Sequence, residues 1–208
     1  RVYQHCDMED LEKMLKEDEN HEYAVKIIAT DGVFSMEGEL AKLPELVALS
    51  KKYHSLLFVD DSHGVGVCGQ EGKGSHEALG MLSQIDVISG TLGKALGGAS
   101  GGYISGKKEL IEFLRQKARP YIFSNSLPPM IMGGSLAALD VISKNPQLLK
   151  ASKENTHYFR EKIKQAGFVI IEGNHPIVPI MIKDAQLTQR MQKELLEKGL
   201  YLVGRWFP

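Results

Sequence analysis

The sequence has few of the features that mark disulfide-stabilised, nucleic-acid-binding or membrane-spanning proteins. Only two of its 208 residues are cysteine, and Cys6 and Cys68 lie far apart, unlike a disulfide framework, which favours a reducing compartment. The 25 basic and 26 acidic side chains nearly cancel, so no basic field points to nucleic acid or to an anionic membrane. No apolar run approaches the roughly 20 residues that a membrane helix needs. With 43% hydrophobic residues and no repeats, the composition is that of an ordinary globular protein.

The first half of the chain alternates strand patterns with helix patterns. Apolar runs predict strands in "YAVKIIATDG", "SLLFVDD" and "IDVISGT", and "GGYISG" predicts an antiparallel or edge strand. The run in "SLLFVDD" is continuous, as in strands covered on both faces. Helices are predicted at 8–19, in "LAKLPELVALSKKY" and near 76–83. This alternation predicts an α/β fold with a mostly parallel sheet.

The second half predicts helices followed by a small α+β unit. Three helix patterns come first, in "KKELIEFLRQKAR", "LPPMIMGGSLAALDVISK" and "PQLLKASKENTHYFREKIKQAG". Strand patterns in "FVIIEG", "PIVPIMI" and "LYLVGRWF" surround a predicted helix at 187–198. We therefore expect 1–147 to form part of a large domain with inter-domain helices, and 148–208 to begin a small C-terminal domain. Because the chain starts at Arg1 without methionine and ends in an apparent strand, we expect a piece of a longer polypeptide.

Polar residues follow three of the predicted strands at their carboxyl ends. In open parallel sheets, ligands bind outside these ends, so an acid, an imidazole, hydroxyls and an amine are expected to meet there. The residues concerned are Asp31 and Ser35 after the first strand, Asp60, Asp61 and His63 after the second, and Thr91 and Lys94 after the third.

The acidic residues and histidines do not predict a metal site. Asp60 and Asp61 should point to opposite faces because strand side chains alternate, so they should not chelate one ion. Asp60 follows a buried run and needs a partner, which a turn amide or a cationic ring nitrogen could supply. The spacing of His54, His63, Cys68 and His76 fits no familiar zinc pattern, and we expect no metal.

Two glycine-rich stretches resemble nucleotide-binding loops only in part. "GVGVCG" at 64–69 matches a dinucleotide pattern, but it continues as loop rather than opening a helix. Around Lys94, "SGTLGKALGGASGG" lacks the first glycine and the final hydroxyl residue of a phosphate-binding Walker A loop. Glycines do let a backbone pass close to a flat ring, and a desolvated lysine is a usable nucleophile for a Schiff base. A Schiff-base lysine and an aspartate on a pyridinium nitrogen are the protein's share of pyridoxal-phosphate chemistry.

Three motifs together resemble the α-oxoamine synthases, a family of fold-type I pyridoxal-phosphate (PLP) enzymes. They are "TDGVFSMEG", "VDDSHGVG" and "GTLGKALGGASGGY", and the resemblance runs over nearly all of the chain. It implies a three-layer PLP-dependent transferase fold with part of a small α+β domain. The stretch "RQKARPYIFSNSLPP" resembles the members that condense glycine with acetyl-CoA to give 2-amino-3-oxobutanoate in threonine and glycine metabolism. Such enzymes would lie in the bacterial cytoplasm or the mitochondrial matrix.

The resemblance also implies the catalytic roles. Lys94 holds PLP as a Schiff base and later moves the Cα proton of the substrate. Asp60 pairs with the protonated pyridine nitrogen, and His63 hydrogen-bonds the phenolic oxygen of the cofactor.

Further cofactor contacts are implied for three hydroxyl residues. Ser35 contacts the phenolic oxygen or the phosphate, Thr91 binds the phosphate, and Ser124 reaches the phosphate of a partner subunit, so that a homodimer shares its active sites. The residue that stacks on the ring and the arginine that binds the substrate carboxylate lie outside this sequence in relatives.

Other hypotheses stay open at this point. A different α-oxoamine synthase, such as the one that makes 8-amino-7-oxononanoate, would differ in its acyl pocket. A non-catalytic subunit or a nucleotide-binding protein is disfavoured by the presence of Lys94, Asp60 and His63.

Overall fold

The structure, a computed structural model, describes residues 1–98 and 100–205. Helices and strands alternate up to β4 and give way to helices after it. In chain order the elements are α1 (Met8–Glu17), β1 (Ile27–Asp31), α2 (Leu43–Lys52), β2 (Leu56–Asp60), α3 (Ser75–Ala78), β3 (Val87–Thr91), β4 (Gly102–Gly106), α4 (Lys108–Lys117), α5 (Arg119–Phe123), α6 (Pro129–Lys144), α7 (Pro146–Gln165) and α8 (Ala185–Glu197).

The four strands form one sheet in the order β1-β2-β3-β4. The first three are parallel, and β4 pairs with β3 in the antiparallel direction. Asp31, Asp60 and Ser89 occupy matched positions of adjacent strands, so their side chains lie on the same face. This topology confirms the mostly parallel sheet and the antiparallel strand that the sequence predicts.

One face of the sheet is covered by α1 and α2. Leu57 and Val59 alternate along β2 and are 0% exposed, and they pack against Leu43 and Leu46 of α2. On the opposite face of β1 and β2, Ile27 is 61% exposed. The sequence predicted that both faces of β2 would be covered. Within the described residues, helices cover one face only.

The region after β4 departs from the sequence prediction in two ways. Helix α5 was not among the predicted helices, although Pro120 lies in its first turn, where proline is favourable. The segments "FVIIEG" and "PIVPIMI" form a single antiparallel bridge between Ile170 and Ile180 instead of strands. Prolines in the second segment have no N–H to donate to a ladder.

The sequence also predicted a strand at the C-terminal end of the chain and a domain division after residue 147. Residues 201–205 of "LYLVGRWF" form no strand, and residues 206–207 lie outside the described part of the chain. The predicted domain division after residue 147 falls in the first turn of α7 and stays a prediction. Within residues 1–98 and 100–205, none of the helices is long and apolar enough to cross a bilayer.

Candidate active site

Asp60 lies at the carboxyl end of β2 and is held by two hydrogen bonds. Its Oδ2 accepts a hydrogen bond from Ser89 Oγ at 2.5 Å, and its Oδ1 accepts one from the backbone N–H of Ser62 at 3.0 Å. Burial alone would raise the pKa of Asp60, but these hydrogen bonds and the charge of Lys94 outweigh it and hold the pKa below its ordinary value. The carboxylate is therefore ionised at neutral pH and accessible from the open face of the sheet.

Lys94 and His63 meet in front of the same strand ends. Lys94 lies on the loop between β3 and β4, and its exposed Nζ is 3.0 Å from His63 Nε2. Burial lowers the pKa of His63, and the positive charge of Lys94 lowers it further, against the opposing charges of Asp31 and Asp60. The imidazole is therefore neutral at neutral pH and, with its proton on Nδ1, accepts a hydrogen bond from the lysine ammonium.

Thr91 helps to shape the loop that carries Lys94. Its hydroxyl accepts a hydrogen bond from the N–H of Gly93 at 3.2 Å and donates one to the carbonyl of Gly101 at 3.2 Å. Gly97 has a positive φ of 66° and donates its N–H to the carbonyl of Lys94, which closes the turn. Because the hydroxyl proton is directed at Gly101, binding of a phosphate by Thr91 requires this hydroxyl to rotate.

The structure does not bring Ser35 or Ser124 into contact with the other predicted site residues. Ser35 is exposed in the turn after β1, and Ser124 is exposed directly after α5. Within the described residues, neither hydroxyl has a hydrogen bond to Asp60, His63 or Lys94. Their roles in cofactor binding stay predictions.

Sequence reasoning missed Ser89, although a signal for it was present. A parallel register that aligns the ends of β2 and β3 places Ser89 beside Asp60, and the serine precedes Gly90 in the motif that contains Lys94. Asp31 was noted as a strand end but was not placed among the site residues. Burial raises the pKa of Asp31, and the neighbouring charge of Asp60 raises it further.

Asp61 points to the opposite face, as the alternation of strand side chains predicts. It is 0% exposed, and its Oδ2 accepts a hydrogen bond from the N–H of Ser75 at 2.9 Å. His76 Nδ1 lies 3.5 Å from the same oxygen. This carboxylate is thus part of the packing around α3 and has no access to Lys94.

Two other features of the surface lie apart from Lys94. His5, Cys6 and Glu39 bring their potential ligand atoms within 4.8 Å of one another, but burial raises the pKa of the Cys6 thiol, and only a thiolate binds metal well. A cleft of about 630 Å³ opens on the Val59 face of the sheet and is lined by residues such as Ile88, Tyr103 and Leu139. Neither feature includes a predicted site residue.

Comparison with curated proteins gives relatives that carry two enzyme names. The chain is 44% identical over 206 residues to a mitochondrial 2-amino-3-ketobutyrate coenzyme A ligase of Mus musculus, with 99% of this chain and 49% of the relative covered. It is 45% identical to the corresponding ligase of Escherichia coli, with 99% of this chain and 52% of the relative covered. It is 42% identical to an 8-amino-7-oxononanoate synthase of Thermoanaerobacter pseudethanolicus, with 100% and 52% covered. The chain spans about half the length of these curated relatives.

Solved structures and a family model agree with this relationship. A serine palmitoyltransferase variant from S. paucimobilis, solved with a bound PLP–myriocin aldimine, superimposes with a TM-score of 0.89 at 30% identity and covers 97% of this chain and 52% of that chain. This likeness confirms the predicted fold class, the fold-type I PLP transferases. A model of the family described as aminotransferase class I and II matches residues 1–207. The chain therefore belongs to the aminotransferase class I and II family.

Proposed function

We propose that the full-length protein is a PLP-dependent acyltransferase that condenses glycine with acetyl-CoA to give 2-amino-3-oxobutanoate and CoA. The observation that carries the proposal is the meeting of Lys94, His63 and an ionised Asp60 at one open edge of the sheet. The names of the mouse and Escherichia coli relatives support the choice of substrates.

The chemistry of the donor set fits PLP. Lys94 would hold the cofactor covalently through Nζ, and the ionised Asp60 would pair with a protonated ring nitrogen. His63 would hydrogen-bond the phenolic oxygen and Thr91 would bind the phosphate, while Ser35 would contact the phenolic oxygen or the phosphate. When bound, PLP supplies an electron sink that stabilises negative charge on the Cα of an attached amino acid.

The side chains of this chain would then handle the protons. Once the amino group of glycine has taken its place on the cofactor, the free Lys94 Nζ would remove the proton from the Cα of glycine. The neutral ring of His63, 3.0 Å away, would accept a hydrogen bond from the ammonium that results. The glycine Cα would form the new bond to the thioester carbonyl carbon as the carbon–sulfur bond breaks. The Lys94 ammonium would give its proton to the departing thiolate, so that CoA leaves as the thiol. Asp60 stays ionised throughout because Ser89 and Ser62 stabilise its charge.

The covalent attachment is tested on the purified full-length protein. We expect a visible absorption band that borohydride bleaches, and Lys94→Ala should abolish both the band and the release of CoA from glycine and acetyl-CoA. Lys107→Ala, which alters an exposed lysine just before α4, is the matched control and should keep both. A band that persists in Lys94→Ala would show that the cofactor is held elsewhere.

Substrate choice is tested by the rate of CoA release. Glycine with acetyl-CoA should give a kcat/KM at least about tenfold higher than alanine with pimeloyl-CoA. The reverse preference would assign the protein to the 8-amino-7-oxononanoate synthases, to which it is also related.

We further propose a homodimer that shares its active sites. Exposed apolar side chains on α5 and α6, among them Phe123 at 77% and Met130 at 78%, form a surface that suits a second copy, and Ser124 lies beside it. Mixing Lys94→Ala with Ser124→Ala subunits should restore about a quarter of the activity, because half of the dimers then carry one intact site. No restoration on mixing would place Ser124 and Lys94 in the same subunit's site or exclude Ser124 from the site.

The relatives also suggest a cellular compartment for the protein. We propose the bacterial cytoplasm, or the mitochondrial matrix if the source is eukaryotic, because the relatives include bacterial and mitochondrial proteins. Cell fractionation with an antibody to the full-length protein tests this placement.

A further inference from the structure

A buried histidine far along the chain contacts the loop that carries His63. His175 is 4% exposed, and its Nε2 lies 2.9 Å from the backbone carbonyl oxygen of His63. The two residues are 112 positions apart in the sequence. The ring of His63 in turn lies 3.0 Å from Lys94, so His175 is one residue removed from the proposed reacting amine.

The hydrogen-bond partners of His175 fix its tautomer. The backbone N–H of Ile177 points at Nδ1 at 3.1 Å, and because an amide N–H can only donate, Nδ1 carries no proton. The proton of the neutral ring is therefore on Nε2, where it is donated to the carbonyl of His63. Burial lowers the pKa of His175, which keeps the ring in this neutral form.

Arg160 anchors the segment that holds His175. It is 5% exposed on α7 and donates hydrogen bonds to the carbonyls of Ile171 at 2.8 Å, His175 at 3.0 Å and Ile177 at 2.8 Å. A guanidinium with several donors in a fixed plane suits three carbonyls better than a lysine would. His175 is thus fixed on both sides, by Arg160 at its carbonyl and by Ile177 at its ring.

We propose that His175 is a positioning residue for the reaction proposed above: its Nε2–H holds the backbone of His63 so that the His63 ring stays directed at Lys94. The inference rests on the proposed function for its catalytic meaning. The contact itself is a property of the protein without cofactor. His175 touches neither cofactor nor substrate in this arrangement and acts only through His63.

Two substitutions separate the hydrogen bonds of His175. In His175→Gln, the side-chain amide can reach the position of Nε2 and still donate to His63. In His175→Asn, the shorter side chain keeps an acceptor near Nδ1 for Ile177 but loses the donor to His63. His157→Asn, on the exposed side of α7, is the matched control. The full-length protein is used throughout, with and without PLP.

The first readout needs no cofactor. The pKa of His63 is measured by NMR, with its signal assigned by its loss in His63→Asn. We expect His175→Asn to raise the pKa of His63 towards its ordinary value, because the released ring moves away from Lys94 and into water. His175→Gln and His157→Asn should leave it unchanged. Equal titration of His63 in all four proteins would overturn the inference.

The second readout is catalytic. The release of CoA is measured with PLP bound and with glycine and acetyl-CoA as substrates. His175→Asn should lower kcat about tenfold and leave the KM for glycine within about threefold of the parent. In His175→Gln both constants should stay within about threefold of the parent. A purely structural role would lower activity in both variants in proportion to the loss of folded protein. A parent that binds no PLP would refute the proposed function, while the titration of His63 would still decide the present inference.

A third measurement does not depend on any variant folding. The ¹⁵N shifts of His175 in the parent should show a neutral ring with its proton on Nε2 and slow exchange of that proton with water. A ring protonated on Nδ1, or a rapidly exchanging Nε2 proton, contradicts the geometry on which the inference stands.

Discussion

Asp60 and Asp61 are neighbours in the chain, yet the regions on their two sides of the sheet differ sharply. Asp60 is half-buried, accepts hydrogen bonds from a hydroxyl and an amide, and lies near enough to Lys94 for the lysine charge to lower its pKa. Asp61 is 0% exposed, and the structure packs backbone directly against it. Two neighbouring aspartates can thus have different roles. Asp60, which water can reach, belongs to the candidate site, and Asp61, which water cannot reach, belongs to the packing around α3.

Glycines produce this difference in access. A Cβ added at Gly32, Gly64 or Gly74 would overlap the carboxylate of Asp61, so the absence of side chains lets the backbone close over it. At Gly97, beside Lys94, no atom of the described residues lies within 4 Å of an added Cβ. Glycine thus lets the backbone pack against Asp61, whereas at Gly97 it serves a turn and leaves space.

The largest effect is expected from closing the space around Asp61. Gly74→Ala should lower the free energy of unfolding by about 3 kcal/mol or more, because the new Cβ overlaps Asp61 Oδ2 and Gly74 has a φ of 126°. Gly80→Ala, also at positive φ but with nothing in residues 1–98 and 100–205 within 4 Å of the new Cβ, should cost about 1 kcal/mol. Urea unfolding measures both values. Equal losses would mean that backbone strain alone, without crowding of Asp61, sets the cost.

The next effect distinguishes the two carboxylates directly. Asp61→Ala leaves the buried N–H of Ser75 without its acceptor and should cost about 2 kcal/mol of stability. Asp60→Ala should cost less than about 1 kcal/mol, since the Ser89 hydroxyl and the Ser62 backbone N–H can then hydrogen-bond to water. In PLP binding and activity the order should reverse, with the larger loss in Asp60→Ala. A stability loss in Asp60→Ala equal to that in Asp61→Ala would erase the contrast between the two sides.

The contrast between the two aspartates could be predicted from sequence, but the details of each side could not. Strand alternation separates Asp60 from Asp61, and the rule for parallel sheets brings Asp60, His63 and Lys94 to one edge. Which residue stabilises Asp60 depends on register, which a single sequence specifies only weakly, so Ser89 was missed. A prediction of register needs the neighbouring strands, and a local pattern does not contain them.

The role of the C-terminal region was less predictable for a different reason. No local pattern marks His175, because its partner lies 112 residues away and the contact is with backbone. Apolar content at 168–182 predicted strands, but Arg160 satisfies the carbonyls of Ile171 and Ile177 that a ladder would otherwise use. Arg160 thus takes two carbonyls that a longer ladder would use, and only a short bridge with backbone hydrogen bonds from Ile171 to Pro179 and from Met181 to Val169 is formed.

The pH dependence of stability should reveal the histidines on the Lys94 side. The pKa values of His63 and His175 are lowered, so between these values and about 6.5 the unfolded chain binds more protons than the folded one. The free energy of unfolding should therefore be highest above about pH 6.5 and fall as the pH drops through the folded pKa values. Arg160 and Asp61 are the charged groups near His175, and Arg160 opposes its protonation.

Denaturant unfolding from pH 5 to pH 8 measures this dependence. The slope should be shallower in His175→Gln, which removes one of the two titrating groups, and unchanged in His157→Asn. A stability that rises as the pH falls through this range would give the opposite sign and contradict the lowered pKa values.

The smallest effect concerns the thiol on the Asp61 side. Burial raises the pKa of Cys68 to about 12, with the charge of Asp61 acting in the same direction. At pH 8 only about one thiol in ten thousand is then ionised, so iodoacetamide should label the partly exposed Cys6 and leave Cys68 intact in the folded protein. Gly74 donates its N–H to the carbonyl of Cys68, so Gly74→Ala should open this region and make Cys68 reactive before global unfolding. Labelling of Cys68 in the parent at the rate of Cys6 would show that the Asp61 side is no more closed to solvent than the partly exposed surface around Cys6.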